Sequence, residues 1–242
     1  MSTKYPVEFK SLEDRFPLPE EVYRLVVELH SVIDGNYQWP SDQIDFVFRG
    51  IATRQSFGFT VLTFFTQRIG VRRDLLPHEK RMIDLCQDII NKSSGKQQIK
   101  NAFSLLFELH VLNEKRIRFG AIAMHRSSLY VNGAEVRHNG YKEIDIAVDA
   151  LDSKNHLQMC ECTLGLSDFA YKKDDQVSFY AEAFFRIRQV TQEGTSLRLE
   201  LFAANSWGFP LNQLYFSAGG RLKEANVDVI VRSLHPPYEE SI

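Results

Sequence analysis

The stretch that decides the fold is KEIDIAVDALDSKNHLQMCECT, residues 142–163. Two runs of alternating apolar residues flank the polar segment DSKN, a pattern typical of two neighbouring strands joined by a turn. Side chains alternate between the two faces of a strand. The period therefore places Asp145 on one face of the first strand, and it places Glu161 and Thr163 together on one face of the second. If the strands pair through the DSKN turn, Asp145 and Glu161 lie close together near one end of the sheet.

These two acidic side chains need a physical reason, because desolvating an unpaired charge is very unfavourable. Two neighbouring carboxylates also repel each other, and each raises the pKa of the other unless a cation lies between them. A hard divalent cation such as Mg²⁺ prefers carboxylate oxygens, with water completing its coordination shell. The pattern therefore leaves two interpretations: a divalent-cation site, or two solvent-facing acids on an exposed face of the sheet.

The flanking sequence predicts a mixed sheet with helices on its faces. Helical periodicity predicts a long helix that ends near Gly120. Two Asn-Gly pairs, at 132–133 and 139–140, predict hairpin turns because both residue types tolerate positive φ. The predicted strands are 120–131, 134–138, 143–151, 156–163, 197–204 and 226–234, and the helices among them are 172–190 and 210–222. This order of helices and strands is typical of an α/β domain with a mixed central sheet flanked by helices.

The N-terminal part of the chain has a different character. Residues 19–34 and 77–93 show the periodicity of amphipathic helices, and the segment 39–76 fits either short strands or two helices. The polar stretch NKSSGKQQ after the second helix is typical of a linker. The sequence thus predicts an N-terminal, mostly helical or mixed domain at 1–95 and an α/β domain at 96–242.

Composition places the chain among ordinary globular proteins. The formal net charge of −2 excludes a strong global attraction to nucleic acid. Any such binding depends on local charge, such as the lysines and arginines of 92–118, which fit a phosphate-contacting edge and a solvated helix face equally well.

The three unevenly spaced cysteines are typical of a reducing compartment. The N-terminus has no apolar signal segment, and the most apolar run, SFGFTVLTFF, is too short to span a membrane. We therefore expect a cytoplasmic protein that does not enter membranes.

A third acidic residue lies in an apolar setting. Glu108 falls in the middle of the predicted long helix, among the phenylalanines and leucines of AFSLLFELHVL. A charge in such a setting needs a partner or a function. The alternative is that Glu108 belongs to a polar stripe with Ser104 and Lys115, which helical spacing places on one side of the helix.

The helix predicted at 172–190 presents a second group of polar residues. Lys172 and Lys173 begin it shortly after the second acidic strand, so two cations fall near the acidic end of the sheet. Gln176 and Tyr180 are four residues apart and therefore share one face of the helix. Lys173 lies three residues before Gln176 and belongs to the same face, whereas Lys172 points about 100° away.

In chain order, these segments resemble the motifs of the PD-(D/E)xK nuclease superfamily. ELHVL, which begins at Glu108, resembles the first-helix glutamate motif, and EIDIAV resembles the strand that carries the metal-binding aspartate. MCECTLG is similar to the end of the strand that carries the Glu-x-Lys motif. QVSFYAEAF is similar to the Gln-x-x-x-Tyr helix of the recombination-type nucleases in that superfamily. The resemblance covers residues 97–234, and it implies a restriction-endonuclease-like core.

The resemblance implies a phosphodiesterase that depends on Mg²⁺ or Mn²⁺. The ion would be surrounded by three carboxylates and one backbone carbonyl, those of Glu108, Asp145, Glu161 and Cys162. It would lower the pKa of a water molecule, align it on the scissile phosphate and neutralise charge in the transition state. Gln176 and Tyr180 would complete the site. The implied substrate is nucleic acid, DNA in preference to RNA, in repair, restriction or defence, and a homodimer would suit the cutting of both strands of a duplex.

One position departs from the family pattern. Thr163 lies where a lysine usually orients the attacking water or stabilises the phosphate, and threonine offers a hydroxyl but no positive charge. Either Lys172 or Lys173, preferably Lys173, supplies that charge from the following helix, or the chain is a nuclease fold that has lost its chemistry. In the second case it binds nucleic acid or a partner protein. The three retained acids favour the active enzyme.

Overall fold

The structure is a computed structural model that describes residues 6–12, 18–34, 77–163, 174–203, 219–233 and 238–241. The segment 39–76, whose pattern fits either strands or helices, lies outside these residues, as do Lys172 and Lys173. The chain forms two compact units. They are Asp14–His110, and Met1–Glu13 combined with Val111–Ile242.

The described part of the Asp14–His110 unit is built from helices. α1 spans Glu20–Asp34 and α2 spans Pro77–Lys92, each within one residue of its predicted bounds, and the first part of α3, Lys96–Phe119, completes it. Glu20 and Glu21 lie in the first turn of α1, where acidic side chains oppose the positive end of the helix dipole. α1 packs on α2 through buried apolar residues at helical spacing: Val22, Val26, Leu29 and Ile33 on α1, and Met82, Leu85, Cys86 and Ile89 on α2.

The second unit is built on one sheet. Its described strands are β1 Val7–Ser11, β2 Ala123–Val131, β3 Ala134–Glu135, β4 Ile144–Ala150, β5 His156–Thr163, β6 Ser196–Ala203, β7 Val227–Ser233 and β8 Tyr238–Ser241. Its described helices are the end of α3, the short α4 Leu151–Lys154, α5 Asp174–Val190 and α6 Gly219–Glu224. The order of strands across the sheet is β1-β2-β4-β5-β6-β7-β8, with β3 attached to β2.

The sheet is mixed, as predicted. β1, β2, β4 and β5 run antiparallel to one another in that order, whereas β5, β6 and β7 are parallel. β8 then pairs antiparallel with β7. Parallel neighbours need a crossover connection, and α5 lies in the connection between β5 and β6. The arrangement confirms an α/β fold with a mixed central sheet flanked by helices.

The structure adds an N-terminal strand to the sheet and divides the chain inside α3. β1 pairs with β2, so the first residues of the chain belong to the sheet and not to the N-terminal helices. The predicted boundary at residue 95 precedes α3, whereas the division between the two units falls after His110, inside that helix. A boundary inside a helix is not marked by a change in the amino-acid composition. Pairing between two strands that are so distant in sequence is not marked by any local sequence pattern.

One face of the sheet packs against α5 and forms the main core of this unit. On the central strands this face carries Ala147, Met159 and Leu199, which lie on one side of neighbouring strands. The core residues of α5 are Val177, Phe179, Tyr180, Ala181, Ala183, Phe184 and Ile187. Because the side-chain period of a strand is two, Asp145 and Glu161 project from this same face, towards α5.

The other face of the sheet carries a buried ionic cluster. The ammonium of Lys115, near the end of α3, lies 2.5 Å from the carboxylate of Glu200 on β6. Gln158 on β5 also donates to Glu200, and Arg232 on β7 donates to it at 3.0 Å. Lys115 and Arg232 both approach the ring of Phe202. Lys115 is 1% exposed and Glu200 is 4% exposed, so this ion pair attaches the end of α3 to the sheet inside the core.

Replacing Lys115 with methionine should destabilise the protein strongly. The substitution leaves the buried Glu200 carboxylate without its closest cation, and breaking a buried ion pair on one side costs about 3–5 kcal/mol. Denaturant titration measures the change. Arg116→Met, at an exposed position one residue along the same helix, is the control and should shift the free energy of unfolding by less than about 0.5 kcal/mol. Equal effects of the two substitutions would contradict a stabilising role for the buried pair.

Candidate functional site

The two acidic strands pair as the sequence predicts. β4 and β5 run antiparallel, with Ile146 opposite Cys160. Continuing this register by one residue sets Asp145 opposite Glu161, and directly opposed Cβ atoms in a sheet lie about 4.5–5.5 Å apart. Asp145 is 8% exposed and Glu161 is 1% exposed. The alternative interpretation, two solvent-facing acids on an open face of the sheet, is therefore wrong.

The connection between the strands sets this register. The short helix α4, Leu151–Lys154, occupies most of the connection, and Asn155 ends it with a left-handed φ of 47°. The carboxylate of Asp149 accepts a hydrogen bond of 3.2 Å from the N–H of Leu151 at the start of the helix. Asparagine tolerates the left-handed conformation better than most residues. The DSKN segment therefore stops α4 and returns the chain into β5 after a fixed number of residues.

Asp145 is held against the end of β5. Its Oδ2 accepts a hydrogen bond of 2.7 Å from the backbone N–H of Cys162. A hydrogen bond to an ionised acceptor is stronger than one between neutral groups. The bond therefore fixes the Asp145 carboxylate beside the residue whose carbonyl the family resemblance implies as a metal ligand.

Helix α5 places Gln176 and Tyr180 beside the acidic pair. The Tyr180 hydroxyl donates a hydrogen bond of 2.9 Å to Oε2 of Glu161. Gln176, one turn earlier, donates to the hydroxyl of Tyr141. Burial raises the pKa of Tyr180 well above its usual value, and the nearby Glu161, Tyr141 and Asp145 raise it further. The phenol therefore stays protonated at neutral pH and remains a hydrogen-bond donor to the carboxylate.

Tyr141 is a member of this cluster that the sequence did not indicate. It follows the second Asn-Gly turn, in which Asn139 and Gly140 both have positive φ. The Asn139 side chain donates to Asp175 at 2.8 Å, which attaches the turn to the start of α5. The Tyr141 ring packs edge-on against Phe179, with the ring centroids 5.3 Å apart. The Asn-Gly pair predicted the turn correctly, but local sequence does not indicate which distant helix a turn will contact.

A cation of β2, Arg126, is the second functional candidate that the sequence did not indicate. The β2–β4 register places it opposite Asp145. Its φ is 45°, a left-handed value that is uncommon for a residue with a long side chain. Nε of Arg126 donates to Glu143, immediately before β4, at 2.6 Å. Burial and, to a smaller extent, the charge of Arg126 lower the pKa of the neighbouring His125 to about 4.

Thr163 ends the strand that carries Glu161. It is buried and lies opposite Ala203 of the parallel strand β6. The structure therefore places its hydroxyl group, with no positive charge, at the position where the family pattern has a lysine. Lys172 and Lys173, which the sequence proposes as the replacement, lie outside the described residues, and their role stays a prediction.

Glu108 is buried in helix α3, in the Asp14–His110 unit. Lys115, seven residues later on the same side of the helix, is buried too. The stripe formed by Ser104, Glu108 and Lys115 is therefore not a solvated helix face, although its residues are polar. The contribution of Glu108 to a metal site stays a prediction.

The donor set of Asp145 and Glu161 suits a hard divalent cation. In the part of the chain that the structure describes, no group of three or more His, Cys, Asp or Glu side chains is arranged so that it could hold a metal ion. Mg²⁺, however, commonly binds proteins through one or two carboxylates, with water and phosphate oxygens as the other ligands. Burial also strengthens the attraction between this pair and a cation, because the charges are less screened.

Burial raises the pKa of the Cys160 thiol to about 12, so this cysteine stays protonated and serves as a small core side chain.

Comparison with known proteins returned no match: no protein-family model, no curated protein and no solved structure is similar to the chain. The functional argument therefore rests on the residues and on their geometry. Among the described helices, none is long and apolar enough to cross a membrane.

Replacing Tyr180 with phenylalanine should destabilise the protein by about 1–3 kcal/mol. The ring stays, but the buried Glu161 carboxylate loses the hydroxyl that donates to it, and the loss of a hydrogen bond to a charged group costs about that much. Tyr130→Phe is the control, since Tyr130 is partly exposed on β2, and it should change the free energy of unfolding by less than about 0.5 kcal/mol. Denaturant titrations of both variants measure the difference. If Tyr180→Phe is as stable as the wild type, the hydroxyl does not hold Glu161 in place.

Proposed function

We propose that the protein is a nuclease that hydrolyses phosphodiester bonds of nucleic acid and depends on Mg²⁺ or Mn²⁺. The observation that carries the proposal is the buried cross-strand pair of Asp145 and Glu161, which α5 covers with Tyr180. Two carboxylates side by side repel each other, and a divalent cation bound between them relieves that repulsion. The order of helices and strands around the pair also agrees with the superfamily that the sequence motifs resemble.

In this proposal Asp145 and Glu161 are the principal ligands of the ion, with the carbonyl of Cys162 as a further ligand. When bound, the ion lowers the pKa of an attacking water and neutralises charge on the phosphate. The hydrogen bond from the Cys162 N–H holds the Asp145 carboxylate at the end of β5. The Tyr180 hydroxyl orients Glu161 in the same way. Such outer partners orient metal-binding carboxylates and tune their affinity.

Thr163 supplies no positive charge. We assign this role to Lys173, with Lys172 as the second choice. Both lysines immediately precede α5, the helix that carries Gln176 and Tyr180. Sequence spacing favours Lys173, because a residue three positions before Gln176 falls on the same side of a continued helix. An ammonium group beside the scissile phosphate stabilises the negative charge that develops in the transition state.

The proposed setting is the cytoplasm, with DNA favoured over RNA as the substrate, in repair, restriction or defence. A formal net charge of −2 provides no long-range attraction to nucleic acid, so substrate binding depends on cations close to the site. A homodimer would bring two sites to the two strands of a duplex.

A non-catalytic module of the same fold is the second candidate, and Thr163 is the observation that favours it. The position next to the Glu161–Cys162 segment lacks the lysine that completes the catalytic set in the superfamily. Such a module would bind nucleic acid or a partner protein. The two candidates differ in one measurable property, the cleavage of a phosphodiester bond.

The test is the cleavage of labelled single- and double-stranded DNA and RNA by the full chain in millimolar Mn²⁺ or Mg²⁺. We expect the wild type to cleave. Glu161→Gln and Asp145→Asn should each lose at least about a hundredfold in rate, because each removes a charge that holds the ion. Asp149→Asn is the matched control, since Asp149 lies on the same face of β4 but at the α4 end of the strand, and it should cleave at the wild-type rate.

Two outcomes would redirect the assignment. Binding of nucleic acid without cleavage in either metal, together with a gain of cleavage in Thr163→Lys, would establish the non-catalytic module and explain it by the lost lysine. Cleavage by the wild type that persists unchanged in Glu161→Gln would exclude the acidic pair as the catalytic centre.

A further inference from the structure

We propose that Arg126 is a positioning residue that binds a phosphate of the substrate strand beside the acidic pair; this inference rests on the proposed nuclease function. β2, β4 and β5 are neighbours in the sheet, so Arg126, Asp145 and Glu161 form one row across three strands. A nucleic acid is an anion, and the acidic pair repels it. A cation in the same row offsets that repulsion at the place where a phosphate would meet the ion.

The backbone at Arg126 is unusual for a residue inside a strand. Its φ of 45° lies in the left-handed region, where the Cβ atom of a residue other than glycine is crowded. The register of β2 against β4 is the same on both sides of Arg126. The left-handed backbone conformation is therefore confined to Arg126, the residue opposite Asp145. Backbone strain of this kind clusters at binding and catalytic sites, where it directs a side chain.

Glu143 orients the guanidinium of Arg126. The two side chains are joined by a bond of 2.6 Å, and they are 13% and 32% exposed, with Arg126 the more buried. The pair is therefore better shielded from water than an ordinary surface ion pair. A guanidinium is planar, and its N–H donors form a fork that matches the oxygens of a phosphate. A carboxylate bound at Nε fixes the plane of this fork.

A structural role is the competing explanation, in which Arg126 does no more than neutralise Glu143. Under that explanation, removing the charge of Arg126 changes stability but leaves the binding of nucleic acid unaltered. A phosphate contact has a different signature, because neutralising a phosphate releases a counterion and makes binding depend on salt concentration. The salt dependence of binding therefore separates the two roles.

The experiment compares Arg126→Asn with its parent in the full chain that carries Glu161→Gln, which keeps the substrate intact. Asparagine tolerates positive φ, so the substitution removes the charge while the backbone keeps its conformation. The affinity for a labelled DNA duplex is measured over a series of salt concentrations. Each phosphate contact contributes about 0.9 to the slope of log affinity against log salt concentration. We expect the slope of Arg126→Asn to be smaller in magnitude by about 0.9.

One further variant controls for the loss of an ion pair. Arg198 is also a partly buried arginine and pairs with Asp228 at 2.9 Å, but it faces the side of the sheet opposite the acidic pair, so Arg198→Asn should keep the slope of the parent. If Arg126→Asn does not fold, Arg126→Gly replaces it, since glycine adopts positive φ freely.

Each outcome decides between the proposals. An unchanged slope in the Arg126 variant, in a protein whose wild type binds and cleaves, overturns the role of Arg126 and leaves the nuclease proposal standing. A smaller slope in a protein whose wild type binds but does not cleave supports the phosphate contact and overturns catalysis. A wild type that binds no nucleic acid overturns both.

Discussion

The antiparallel pairing of β4 with β5 is the constraint on which the rest of the structure depends. A shift of this register by one residue would turn every side chain of β5 to the other face of the sheet. Glu161 would then leave the face of Asp145 and Tyr180, and the hydrogen bonds that hold both carboxylates would be lost. The left-handed Asn155 at the end of α4 fixes the length of the connection. A turn of a few residues therefore determines whether the acidic pair exists.

The sheet separates two buried polar clusters that are compensated in different ways. On the α3 side, Glu200 contacts two cations, Lys115 and Arg232. On the α5 side, Asp145 and Glu161 accept hydrogen bonds from a backbone amide and from a phenol. In our proposal the α5 cluster binds a divalent cation, because paired carboxylate oxygens are the ligands that such an ion prefers. We therefore assign a structural role to the α3 cluster and a binding role to the α5 cluster.

Local patterns predicted the central strands and the acidic pair, because the alternation within 142–163 and the four-residue spacing of Gln176 and Tyr180 are visible over a few residues. The pairing of β1 with β2 was not predictable in this way, since it joins segments far apart in the chain. The left-handed backbone of Arg126 and the contact between Gln176 and Tyr141 were not predictable either. An alternation of apolar residues does not mark one strand residue as left-handed, and both features depend on tertiary packing.

Metal binding by Asp145 and Glu161 is the central claim, and the melting temperature of the full chain in Mn²⁺ tests it most directly. An ion that binds only the folded protein stabilises it by about 2.7 kcal/mol when its concentration is about 100 times Kd. For a chain of this size, we expect melting to occur about 5–10 °C higher in millimolar Mn²⁺. Asp145→Asn should abolish the increase, whereas Asp149→Asn should retain it. A wild-type melting temperature that does not respond to Mn²⁺, or an equal response in Asp145→Asn, would contradict the claim.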